Sequence, residues 1–211
     1  MSWKIGSLRG LIGLFILACA IACRADADKD AAKTADNFLA ALKIFELPEG
    51  KQAVAESSWS ANLDKLPVLL EEEKLFEGML STDVPGVVGY KRLIQARVQS
   101  QGGLPLTEKY LLVSYKDQQM GKWKIWEFRK ISGTDVEHEI DAAKQEIGHS
   151  ESLKDQFTYR NYAYWLALGG RLLAAKEALE TALAIDRPHP EEYFDEQNCQ
   201  AQINAIKLIV R

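Results

Sequence analysis

After Asp83-Val84-Pro85-Gly86 the hydrophobic period of this chain changes from helical to two, and few folds accommodate that switch. Tyr90, Arg92, Ile94, Ala96 and Val98 alternate with Lys91, Leu93, Gln95, Arg97 and Gln99, the pattern of a half-buried strand. Gln101-Gly102-Gly103 turns the chain into a second strand at Tyr110–Tyr115, and Lys116–Gly121 turns it again. Lys122–Ile131 is the third strand, rich in aromatics. Within it Trp123 and Ile125 share one face and Trp126 and Phe128 the other, which predicts a bulge or a strand buried on both sides. Three consecutive strands with short turns make an antiparallel meander.

Upstream, Ala35, Phe38, Leu39, Leu42 and Phe45 recur at helical spacing, and Leu47-Pro48-Glu49-Gly50 ends that helix. A second helical piece is expected over Lys51–Leu63. A third follows Pro67, with Leu69, Leu70, Phe76 and Leu80 on one side and the Glu71-Glu72-Glu73 triplet as a solvated face on the other. Helices first, then a curved sheet closing on the Gly-x-Trp-Lys-Ile run at Gly121–Ile125, resembles the nuclear-transport-factor-two-like and cystatin-like α+β folds. The residues carrying that resemblance are Ala35–Phe45 and Gly121–Phe128, and it covers about residues 30–131. It implies a sheet wrapped around a helix, often with an apolar pocket, but no catalytic residue of such a family maps onto a matching position here.

Ser132-Gly133-Thr134-Asp135 supplies a boundary and good helix N-caps. Val136, Ile140, Ala143 and Ile147 then form one apolar stripe, stopped by Gly148. Tyr159, Tyr162, Ala163 and Leu166, followed by Gly170, Ala175, Leu179 and Ala182, reproduce the spacing of a tetratricopeptide repeat, two antiparallel helices joined at Gly169-Gly170. Trp165 lies off the usual aromatic site, and Pro188 arrives one residue late. The hairpin has no twin in the chain, and a lone repeat cannot bury its faces. Its flanks must cover it: the 135–147 stripe on one side and Cys199, Ile203, Ile206 and Val210 on the other, with Cys199 as a core thiol. The expected architecture is therefore α+β, an N-terminal domain at 35–131 with helices packed on an antiparallel sheet of three or more strands, followed by a small all-α bundle at 134–211.

The opening segment reads as an export signal. Lys4 and Arg9 precede an apolar run from Gly10 to Cys23, short for a membrane-spanning helix of about 20 residues. Ile16-Leu17-Ala18-Cys19 and Ala20-Ile21-Ala22-Cys23 both resemble a bacterial lipobox, which implies cleavage before the cysteine and diacylglycerol on its sulfur. Cys23 is the expected lipidation site and Cys19 the alternative; cleavage after Ala27 and a retained membrane anchor compete with lipidation. On that reading residues 1–23 are leader and 24–34 a tether, and the chain sits on the periplasmic side of a bacterial membrane. Only Cys199 remains for the folded part, so no internal disulfide forms there, consistent with a bacterial envelope protein.

Chemistry is sparse. A formal net charge of −4 with no basic stripe argues against nucleic acid. His138, His149 and His189 are scattered, and His138-Glu139 lacks the second histidine of a zinc-protease helix. There is no Gly-x-Ser-x-Gly elbow and no phosphate-cradling loop, so neither catalytic residues, metal nor cofactor are expected. The expected role is a non-enzymatic adaptor binding a protein or peptide through the repeat, with Arg160, Asn161 and Tyr164 lining its groove. The alternatives are a small-ligand or enzymatic pocket in the first domain, and a purely structural lipoprotein.

Overall fold

The computed structural model describes residues 28–59, 66–99, 103–131, 135–149, 156–185 and 196–210. Among them the order is α1 (28–43), α2 (Pro48–Ser57), β1 (Val68–Ser81), β2 (Val88–Gln99), β3 (Leu106–Lys116), β4 (Trp123–Lys130), α3 (Val136–His149), α4 (Gln156–Leu168), α5 (Leu172–Ala184) and α6 (Glu196–Ile209). The four strands form one antiparallel sheet in chain order, β1-β2-β3-β4.

Helices cover both faces of that sheet. Phe38 and Leu42 of α1, with Phe45 in the turn after it, pack on Ile94, Leu112, Ile125 and Phe128, forming one core. On the opposite face Leu111, Val113, Tyr115 and Trp126 share a second core with Ile140, Leu166, Leu179 and Ile206 of the C-terminal helices. Sheet and C-terminal helices thus bury their apolar surface against each other, although a boundary at 132–134 separates them in sequence.

The alternation read for β2 holds: Tyr90, Arg92, Ile94, Ala96 and Val98 are all buried beneath α1. The helix expected after Pro67 is instead β1, a strand of 14 residues. Its register on β2 slips between Leu69 and Glu71 and again between Lys74 and Phe76, so Leu70 and Leu75 are bulged. Each bulge shifts the alternation by one residue, and two of them erase the period-two signal. They also interrupt an edge strand that would otherwise offer an open ladder to another chain. The first helix ends at 43, before the expected stop, and Pro48 stands at the start of α2, ahead of the expected Lys51, where its missing N–H removes no helical bond. Residues 24–34, read as a tether, are helical from residue 28, with Ala31 buried.

Arg92 clamps α1 to the sheet. It is only 5% exposed, and its guanidinium donates to Asp36 of α1, to Glu77 at 2.8 Å and to the Tyr90 hydroxyl at 3.1 Å. A buried charge persists only when paired this fully. The hydrogen bonds from Lys74 and Tyr90, with Arg92 beside them, hold the Glu77 carboxyl down at about 2.

The hairpin of α4 and α5 is fastened to the sheet at its turn. Gly170 has φ +82°, and a Cβ there would lie 2.2 Å from the Ser81 carbonyl oxygen. The Asp83 N–H donates to the Gly170 carbonyl at 3.1 Å, and the Asp83 carboxylate accepts from the N–H groups of Leu173 and Ala174. The β1–β2 turn therefore caps α5 from outside the helix. Gly170→Ala combines backbone strain with that clash, and a loss of at least about 2 kcal/mol is expected in urea unfolding. Asp83→Ala, which removes only the cap, is expected to cost about 1 kcal/mol.

Candidate functional site

Strand β4 carries the expected bulge. Val113 faces Glu127 and Ser114 faces Ile125, which leaves Trp126 as the extra residue. Trp123, Ile125 and Phe128 all face α1, so Phe128 does not share the face of Trp126 as the simple alternation implied. The bulge instead turns both Trp126 and Glu127 toward the C-terminal helices.

There they border a cleft between β4 and α6. Trp59, Trp126, Glu127, Asn198 and Gln202 line it, and Ala201 and Ala205 leave its helical wall low. Its free volume is about 20 Å³, room for little more than a water-sized group. Trp59 reaches the cleft because its N–H donates to the Ile125 carbonyl at 2.8 Å, pinning the chain after α2 to the outer edge of β4. The Trp59 indole nitrogen is buried with no hydrogen-bond partner among the described residues. An unsatisfied buried donor costs about 1–3 kcal/mol, so this N–H is a cost to the fold. Lys124 stands 4.9 Å from the centroid of the same indole.

Glu127 gives the cleft its titratable group. Burial pushes its carboxyl up to about 7, although the Tyr164 hydroxyl donates to it, Arg129 attracts it and the Phe128 N–H bonds to it. The Arg129 guanidinium lies 4.3 Å from the ring centroid of Tyr164 and 4.5 Å from that of Trp165. Burial beside Glu127 also raises the Tyr164 hydroxyl well above its ordinary value. Aromatic walls, two side-chain amides and one half-neutral carboxyl suit a single small polar group.

The residues expected to line a repeat groove are dispersed. All three are partly exposed, and Tyr164 is engaged by Glu127 and Arg129 of β4. Cys23 and Cys19 lie outside the described residues. Cys199 is buried in the core of the helical layer. Among the described residues no cluster of three or more His, Cys, Asp or Glu is placed to hold a metal ion, and no helix is long and apolar enough to cross a membrane. No family model matches this chain, no curated protein matches it, and no solved structure matches it.

Two carboxyls set the pH dependence of stability. Glu127 is raised from 4.5 to about 7, so the folded chain holds that proton more tightly. Its contribution is full below about pH 4.5 and is lost as pH rises through 7. Glu77 is lowered to about 2, so its contribution is present above 4.5 and lost as pH falls toward 2. The unfolding free energy is expected to peak near pH 5 and to decline by on the order of 2 kcal/mol by about pH 8. Urea unfolding of Glu127→Gln is expected to show the acid limb unchanged and the alkaline decline flattened.

Proposed function

We propose that this protein is a non-enzymatic binding module of the bacterial cell envelope, held at the membrane by lipid on Cys23, and that it recognises its partner at the β4–α6 cleft. The observation carrying the reading is the bulge that delivers Trp126 and Glu127 together to the cleft wall. Bulges are a recurrent way of re-aiming a side chain at a functional position. A carboxyl titrating near 7 also suits general acid–base work. Among the described residues lining the cleft, however, Glu127 is the one titratable group, which favours recognition over catalysis.

On this reading the hairpin of α4 and α5 is a single tetratricopeptide-like unit used chiefly as a brace. Arg160 and Asn161, partly exposed on α4, form the competing partner surface. Photo-cross-linking in intact cells separates the two, with the reactive residue placed at Gln202 in the cleft or at Arg160 on the repeat. A discrete adduct is expected from Gln202 and is expected to vanish when Glu127→Gln and Trp126→Ala are added. Adducts from Arg160 alone would move the site to the repeat, and none from either position would leave a structural lipoprotein. The anchor is checked by the mass of the mature N-terminus from the membrane fraction, expected to begin at Cys23 with acyl chains attached.

A further inference from the structure

A lipid on Cys23, the reading proposed above, holds the fold on a short leash. Helix α1 begins at residue 28, and five residues of extended chain span no more than about 18 Å. Which part of the molecule lies within that reach depends on where α1 starts along the sheet. Ala32 and Asp36 contact Arg92, and Lys43 pairs with Glu72 at 3.3 Å. The helix therefore runs from the β1–β2 turn toward the opposite end of the sheet. From Asp36 back to residue 28 is about 12 Å of helix. From the Glu77–Arg92 row to the end of the β1–β2 ladder is about 13 Å of strand. Residue 28 is thus level with the turn at 82–87.

Three exposed apolar side chains, from separate elements, mark that same end. Val88 opens β2 and is 38% exposed, Met120 lies in the β3–β4 turn at 53%, and Leu173 lies in the first turn of α5 at 47%. Asp83 holds α5 at this level through the N–H of Leu173, and the Gln118 N–H donates to the Leu208 carbonyl of α6. We propose that this end of the sheet is a membrane-facing surface, with Val88, Met120 and Leu173 resting on the bilayer that holds the Cys23 lipid.

Apolar exposure alone does not select this end, because Leu104 in the β2–β3 connection is 85% exposed at the other. The leash selects it. Charge does not carry the contact either: exposed Lys29, Lys122 and Arg171 at this end face exposed Asp28, Asp30, Asp83 and Glu137, the last paired with Arg171. The contact is accordingly expected to be insensitive to salt, unlike a polybasic one.

The test uses the full chain purified from membranes, with the acylated mass of Cys23 confirmed first. Met120→Cys and Leu104→Cys are labelled separately with a polarity-sensitive fluorophore and reconstituted in phosphatidylethanolamine–phosphatidylglycerol vesicles carrying a lipid-linked quencher. Buried Cys199 takes no label in the folded chain, and unsubstituted protein reports any background. Several-fold stronger quenching and a larger blue shift are expected at 120 than at 104, unchanged at high salt. Equal quenching at the two positions, stronger quenching at 104, or none at either, on protein whose Cys23 lipid is present, overturns the orientation and leaves the anchor standing. A mature N-terminus without acyl chains overturns the anchor itself, and the orientation with it.

Discussion

Strand β3 is buried continuously from Tyr110 to Tyr115, which means that both of its faces must be covered. A sheet in that position needs two helical layers, and everything else in the molecule answers to that need. Helix α1 supplies one layer directly before the sheet in sequence. The other comes from four helices after it, among them a hairpin that could not bury its own faces in isolation. Each half of the chain lacks a partner that the other half provides.

This mutual burial explains the place of the hairpin. In a solenoid, identical neighbours cover each repeat and leave a long surface for partners. Here the neighbour is a sheet, and the fastening is specific: Gly170 lies against the Ser81 carbonyl, and Asp83 caps α5. The face carrying Tyr164 is consequently taken up by Arg129 and Glu127 of β4. A one-residue bulge opens the seam between sheet and helices, and two alanines of α6 leave it unfilled.

Charge plays two opposite parts. Around Arg92 every charged group has a partner, so the cluster serves only to lock α1 onto the sheet. Around Glu127 burial outweighs its hydrogen bonds and the pull of Arg129, and the carboxyl is held near neutrality. The first arrangement is structural. The second leaves a carboxyl that holds its proton far more tightly than a solvated glutamate.

The sequence by itself determined the local elements whose side chains keep an unbroken period. The alternation from Tyr90 to Val98, the stripe of α1, the glycine turn at 169–170 and the burial of Cys199 were all legible, because each depends on near neighbours in the chain. The switch between Ile125 and Trp126 also announced a bulge, but not which residue it would re-aim. Tertiary structure alone decided that β1 is a strand, because its two bulges exist only in register with β2. It decided likewise that Tyr164 meets β4 and that Glu127 meets α6, since both follow from how a helical layer settles on a twisted sheet. Period encodes which face of an element is apolar; only packing between distant segments determines what that face will meet.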